Sequence, residues 1–369
     1  MPFGYGPAAK AIALARRLRE DWRLVFVGRG SALELVSRTS GLFDEILPGS
    51  ATDPACAERI ARAWGVLSVM DRDAGVAARR CGRPLFVVDS LAWMRPRAPE
   101  ALADARVYWA QRFGGLAAEG FEPRPSVVGP ILAPTAGARR PRDGGLVVHL
   151  GGSAAPRGRE ALYAAYARFV VKAVIGAGLG ARFPRISVLG GGAAIASLDG
   201  VLPPGLAQIG SAAPEEARAL MERAGAVLTA PGLTTSLECF LDGTPTWFLP
   251  PQNYSQWCIL RHMRGAGVAD DALHWEDLRD VPKLAERMAP EIRDPIVCAE
   301  IEALVASARA GAALRSRLRG VGEGAGERVS RQSAYVASLG PPALETIAST
   351  LRRLALAPHS DLAAAAASH

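Results

Sequence analysis

Along the first quarter of the chain the apolar positions switch between two spacings. "PAAKAIALARRLRED" carries Ile12, Ala15 and Leu18 at helical intervals, and Pro7 after Gly6 suits a first helical position. "RLVFVGRG" then reads as a short buried strand and "SALELVSRTS" as a helix opened by Ser31. "GVLSVM" and "PLFVVDS" read as further strands, with the helical "DAGVAARRCG" between them. Apolar strands alternating with helices predict a parallel sheet covered on both faces.

"VVGPILAPTAGARRPRDGG", from Val127 to Gly145, has no sustained period and is rich in Pro, Gly and Arg, as a linker would be. The alternation then restarts. "LVVHLGGS" is a strand and glycine turn, "ALYAAYARFVVKAVIGAG" a helix, and "RISVLGGG" a strand and turn. "LAQIG" is a strand, "PEEARALMERA" a helix, "AVLTAPG" a strand and turn, "TTSLECFLDG" a helix and "PTWFLPP" a strand. Helices follow to "ALETIASTLRRLAL", and "APHSDLAAAAASH" is expected to fray. The expected division is one α/β domain over 1–135, a linker over 136–144, a second α/β domain over 145–335 and a helical tail over 336–369.

Composition agrees with layered helix-on-sheet packing: 369 residues, 49% hydrophobic but only 6% aromatic, so the cores should be aliphatic. No apolar run approaches the roughly 18 to 20 residues of a membrane helix. "MPFGYGPAAK" lacks the charged-then-apolar order of a signal peptide, so a cytoplasmic protein without a membrane partner is expected. The net charge of +7 rests on 43 basic residues, of which only Lys10, Lys172 and Lys283 are lysines. The arginines lie among alanines and acids in no run or aromatic-interleaved patch, which argues against a nucleic-acid partner. A mild positive field would still favour an anionic substrate. The five cysteines and five histidines are dispersed, without metal-ligand spacing, so no metal or other cofactor is expected.

The chemistry concentrates in "APGLTTSLECFLDGTPTWFLPPQNYSQW". The strand "AVLTA" should end at the carboxyl edge of the second sheet, where ligands of open α/β sheets bind. Pro231-Gly232 makes the turn, and Thr235 to Glu238 has capping-box spacing for a helix start. Two readings fit. Thr235 and Glu238 cap each other and do no more, or Gly232, Leu233, Thr234 and Thr235 hold an anion on the exposed N–H groups of the helix. The continuation favours the second, because Gly243-Thr244-Pro245 leads through an apolar strand to Gln252, Asn253 and Gln256. Amides at the same sheet edge suit sugar hydroxyls, each offering donor and acceptor.

Gly-x-Thr-x-x-x-Glu, then Gly-x-Pro, an apolar strand and Pro-x-Gln, resembles the donor region of GT-B glycosyltransferases. The similarity is to the lipid II N-acetylglucosaminyltransferase and to macrolide-type enzymes. It implies two Rossmann-like domains with parallel sheets facing a cleft, and a C-terminal helix crossing back. It also implies a UDP-sugar donor and metal-independent, inverting transfer. Thr234 and Thr235 would meet the diphosphate, Glu238 the ribose, and Gln252 and Gln256 the sugar. Further donor contacts would come from Gly151, Gly152 and Ser153 in "HLGGS", Gly190 and Gly191 in "LGGG", and Gly210 in "IGSAAPEE".

"FGYGPAAKAIALARRL" is similar to the family's acceptor loop and first helix, placing Gly4, Tyr5, Gly6 and Lys10 near the acceptor. The strand that precedes this loop in the family is not in the sequence as it stands: either the true start lies upstream of Met1, or the first sheet is short of one strand. Where many relatives carry a catalytic His, this chain has Tyr5 or Pro7. Asp89, ending "LFVVD", could instead take the acceptor's proton, or could cap the next turn with Ser90. Trp93, Tyr108, Trp109 and Gln111 could wall a planar acceptor or pack a core, and Lys10 or Arg29 could meet an acidic group. "FGYGPAAKA", "VDSLAWM" and "TPTWFLPPQNYSQW" further resemble cytosylglucuronate synthases of nucleoside-antibiotic pathways, implying UDP-glucuronic acid as donor and cytosine or a hydroxymethyl derivative as acceptor. A nucleotide-sugar hydrolase or epimerase and a non-catalytic sugar-nucleotide-binding subunit are the alternatives, and a homodimer stays open.

Overall fold

The computed structural model describes residues 5–116, 118–133, 141–152, 159–201, 206–210, 212–277 and 290–356, with backbone alone at 206–209 and 290–292. Gly4, Ser153, residues 136–140 of the expected linker and the tail 357–369 lie outside the described residues. The chain forms two compact units. One is Pro7–Pro134 with the C-terminal segment from Leu339, and the other is Thr135–Ser338 with Tyr5 and Gly6. Both are α/β with every strand pairing parallel.

The first unit runs α1 (Gly6–Leu18), β1 (Val25–Gly28), α2 (Gly30–Val36), β2 (Glu45–Pro48), α3 (Pro54–Ala61), β3 (Val66–Val69), α4 (Arg72–Arg80), β4 (Leu85–Asp89), β5 (Ala105–Gln111) and β6 (Ser126–Val128). The sequence pattern suggests one sheet here, but the strands form a β1–β2 pair and a separate β3-β4-β5-β6 sheet. β4 is buried throughout, as its continuous apolar run requires. β5 comes from "ARVYWAQ", whose Val, Tyr and Trp favour a strand, and β6 reaches into the start of the Pro-, Gly- and Arg-rich stretch from Val127. Helix starts follow local chemistry. Asp71 caps α4 by accepting from Asp73 N at 3.0 Å, and Pro54 opens α3. Gly75 lets α4 approach the 101–102 turn, since a Cβ there would lie 1.9 Å from Ala101 O.

The second unit runs β7 (Leu146–His149), α5 (Glu160–Gly176), β8 (Ile186–Leu189), α6 (Gly192–Ala196), β9 (Leu206–Gly210), α7 (Pro214–Arg223), β10 (Ala226–Thr229), α8 (Leu233–Leu241), β11 (Thr246–Phe248), α9 (Tyr254–Gly265), α10 (Pro290–Ala306), α11 (Ala308–Leu318) and α12 (Ala325–Ser338). Its strands make one continuous sheet of order β11-β10-β7-β8-β9.

The final helix, α13 (Leu344–Leu356), belongs to the first unit. Leu344, Ile347, Ala348 and Leu351 enter one buried cluster with Leu14, Leu18, Phe86, Val88 and Trp109. Ala343 N donates to Pro130 O at 2.9 Å. A Cβ on Gly129 would stand 2.0 Å from Pro341 O, so only glycine allows that approach.

Candidate functional site

The second sheet has its topological switch point between β7 and β10, because the chain leaves β7 toward β8 and β9 and later returns on the other side as β10 and β11. Crevices at such points form outside the carboxyl ends of the strands. Gly151, at φ +74°, lies beside Ala230 there: a Cβ on Gly151 would be 3.8 Å from that of Ala230. Gly191 N donates to Gly151 O at 3.1 Å, and Gly190 N to Gly210 O at 3.5 Å. The glycines that end three different strands are thereby joined into one rim. Gly232 stands across the switch point, and a Cβ on it would meet nothing nearer than Ala230 O at 3.9 Å. A Cβ at that position would therefore be accommodated.

Here the structure corrects the capping-box reading. α8 starts at Leu233 with Gly232 as its N-cap, two residues before Thr235, so Thr235 and Glu238 both lie within the helix. A capping Thr needs extended backbone, which Thr235 lacks. The N-cap of α8 is a glycine, which brings no side chain of its own to the N–H groups of the first turn. Thr234 is buried, Thr235 is half-buried, and the Ser236 hydroxyl is buried with no hydrogen-bond partner. Tyr5 and Gly6 pack on the same turns. A Cβ on Gly152 would fall 2.3 Å from the Tyr5 ring, and one on Gly6 would fall 3.5 Å from Thr234 Oγ1. Glu238 is half-buried and interacts electrostatically with Arg218, whose guanidinium grips Asp242 at 2.7 and 2.8 Å.

The amides divide their work. Gln252, 2% exposed, donates from Nε2 to Leu150 O at 2.8 Å, tying its loop to the Gly151 turn. Asn253 caps α9, accepting from Gln256 N at 3.0 Å and from Ser255 Oγ at 2.8 Å. Gln256 Oε1 reciprocates by accepting from Gln252 N at 2.8 Å. Tyr163 and Tyr166 on α5 donate to Gln252 O and Pro250 O at 3.0 and 2.5 Å, and burial pushes the pKa of both hydroxyls up, keeping them donors. Asn253 is therefore a structural cap. Gln252 Oε1 and Gln256 Nε2 have no hydrogen-bond partner among the described residues.

The pattern reading overlooked His149. It ends β7 opposite Thr229 on β10, and its Nδ1 lies 3.0 Å from Thr229 Oγ1. The ring is half-buried by exposed area yet ringed by protein, and this desolvation lowers its pKa to about 4, so it is neutral at pH 7. An ionisable residue closing the otherwise apolar "LVVH" was the available signal.

In the first unit the expected residues are occupied. Asp89 is fully buried, accepting from Leu91 N at 2.8 Å, from the Tyr108 hydroxyl at 2.7 Å and from Arg95 Nη1. Burial, with Asp89 alongside, pushes the Tyr108 pKa up and keeps that hydroxyl a donor. A carboxylate so engaged and without solvent access anchors the 91–95 turn rather than standing open as a base. Trp93 packs on Phe113 with centroids 5.0 Å apart and fills the space a side chain at Gly114 would need. Gln111 is buried and accepts from Ile131 N at 3.1 Å; Trp109 lies in the α13 cluster. All of these side chains are buried within the first unit. Lys10 is 2% exposed on α1, and Arg29 pairs with Asp73 at 3.5 Å on the surface.

Neither a protein-family model nor a curated protein matches the chain. Solved structures do. The chain is similar to CalG4, the calicheamicin glycosyltransferase (18% identity, 96% of this chain and 97% of that chain, TM-score 0.49). It is also similar to the glycotransferase of kitacinnamycin (14%, 94% and 94%, 0.48) and to MurG of Acinetobacter baumannii (14%, 95% and 97%, 0.46). Among the described residues no His, Cys, Asp and Glu group could hold a metal ion, and no helix is long and apolar enough to cross a membrane.

Proposed function

We propose that the second unit binds a nucleotide sugar at its switch-point crevice, and that the protein is a glycosyltransferase of the GT-B type. The observation that carries this reading is the glycine N-cap of α8 at the switch point, where Gly232 has room for a Cβ and the Gly151 turn lies beside Ala230. Backbone N–H groups and the helix dipole would bind the diphosphate there, with the Thr234 and Thr235 hydroxyls beside them. The same groups would stabilise the charge that grows on the departing diphosphate, in a transfer needing no metal ion. Glu238, one turn along α8, would accept from ribose hydroxyls. Gln252 Oε1 and Gln256 Nε2 would supply one acceptor and one donor to the sugar. Gly152, under Tyr5, and Gly190, Gly191 and Gly210 would complete the rim, and Gly6 would close it beside Thr234.

The finer reading is UDP-glucuronic acid as donor and cytosine or a derivative as acceptor, with an inverting attack by the acceptor nitrogen on the anomeric carbon. Asp89 is not given the acceptor's proton, because its oxygens are already held by three donors.

Calorimetric titration with UDP, then UDP-glucuronic acid, then cytosine tests this. UDP should bind, and Glu238→Ala should weaken it by roughly tenfold or more, the about 1.5–3 kcal/mol of a charged hydrogen bond. Unchanged UDP affinity in that variant removes Glu238 from the site, and no nucleotide binding at all ends the reading. UDP release on adding cytosine supports the finer reading. Sugar release without an acceptor would favour a hydrolase instead.

A further inference from the structure

A second cavity of about 490 Å³ opens between α5, α10 and α11, lined by Arg168, Phe169, Lys172, Val305, Ser307 and Arg315 among others. α5 begins beside the 250–252 loop, where Tyr163 is bonded, and Lys172 lies nine residues further, about 14 Å along the helix axis. The cavity is thus distinct from the switch-point crevice.

Among the described residues its lining holds three cations and no carboxylate. Other arginines of this chain are ion-paired, one of them on these same helices: Arg159 at the start of α5 meets Glu302 of α10 at 2.9 Å. The cations of the cavity are not paired in this way. Arg168 Nη1 donates only to Ser197 O at 3.4 Å, and neither Lys172 nor Arg315 forms an ion pair among the described residues. Arg315 is also seated by two glycines. A Cβ on Gly176 would stand 2.7 Å from its Cδ, and one on Gly311 would stand 3.4 Å from its Nη1. The start of α11, capped by Ser307 accepting from Ala310 N at 3.1 Å, adds the positive end of its dipole at the wall. Three like charges and a helix start around one hollow repel one another until an anion enters. Phe169, Ala173 and Val305 give that anion's uncharged part an apolar bed.

We infer that this cavity is a binding site for a phosphoryl anion, a phosphomonoester or diphosphate whose uncharged part rests on Phe169 and Val305. Guanidinium groups suit phosphate oxygens, and the volume lies in the range of small-ligand pockets. The phosphate can be free or can belong to a lipid headgroup, and the experiment separates the two.

The chain has three lysines, and Lys10 is buried, so amine acylation read by peptide mass spectrometry reports on Lys172 directly. The intact protein is acylated with increasing pyrophosphate and, separately, with vesicles containing phosphatidic acid, whose headgroup is a phosphomonoester, at matched ionic strength. An anion held against the ammonium favours its charged, unreactive form, so acylation of Lys172 should slow roughly tenfold and saturably. Protection by pyrophosphate supports a soluble ligand, and protection by vesicles alone supports a lipid phosphate. The double variant Arg168→Ala/Arg315→Ala should lose that protection. Absence of protection by both probes, or protection that the double variant keeps, overturns the site. UDP titration of the double variant reads the other crevice independently, so failure there and failure here are separable.

Discussion

β10 and β1 look alike on paper, "AVLT" against "VFVG", yet they live in different surroundings. Every residue of β8, β10 and β11 is buried, and in β7 only His149 is half-open. Among β1, β2 and β3 only Ser68 is buried, and Val25 is 40% exposed. The second sheet is continuous, whereas β1 and β2 share no strand pairing with β3–β6. An interior strand gains from packing on both faces and pairing on both edges. A two-stranded pair has neither, and holds through a few helix contacts. Rigidity is therefore concentrated where the glycine turns must keep their places, under the switch point.

The largest expected consequence separates the two sheets directly. Leu228→Ala in β10 should cost about 2–5 kcal/mol by chemical denaturation, whereas Val25→Ala in β1 should cost under about 0.5 kcal/mol. Similar losses at the two positions would erase the distinction. Next comes Gly129→Ala, which pushes a methyl into Pro341 O and should cost about 1–3 kcal/mol through the first unit's own closure. A neutral result there would mean the 129–341 contact yields freely.

A smaller effect is pH-dependent and belongs to the second sheet. His149 binds a proton less readily folded, at about 4, than unfolded, at its ordinary 6.5. The unfolded chain then takes up more protons between those values. Stability should be fully present above about pH 6.5 and fall as the pH drops toward and through 4. The unfolding midpoint of His149→Gln should fall less over that window. Parallel profiles for the two proteins would show that His149 does not carry the dependence.

Much of this fold is legible in the sequence, for reasons visible in particular elements. "LFVVD" and "AVLTA" are uninterrupted apolar runs bounded by turn residues, and each is a buried strand. β6 is only "SVV", too short to show a period, and sits against Pro and Gly that read as linker. β5 was hidden because "VYWAQ" has the composition of a binding wall as much as of a core strand. In the candidate site the glycines were readable, because a tight turn after a strand has few substitutes. The roles of side chains were not. Sequence spacing makes Thr235 and Glu238 a cap, but the backbone had already turned helical at Leu233. Asp89 reads as an exposed carboxylate at a strand end, and only three-dimensional packing brings Arg95 and Tyr108 onto it.

The return of α13 to the first unit also bears on synthesis. The residues made first cannot finish their core until the residues made last arrive, because Leu14 and Leu18 wait for Ile347 and Leu351. The second unit's strands β7–β11 are complete well before that, so on the ribosome the later half of the chain is free to fold ahead of the earlier one. The nascent first unit meanwhile carries an uncovered apolar face through nearly the whole of translation, the kind of surface that chaperones hold.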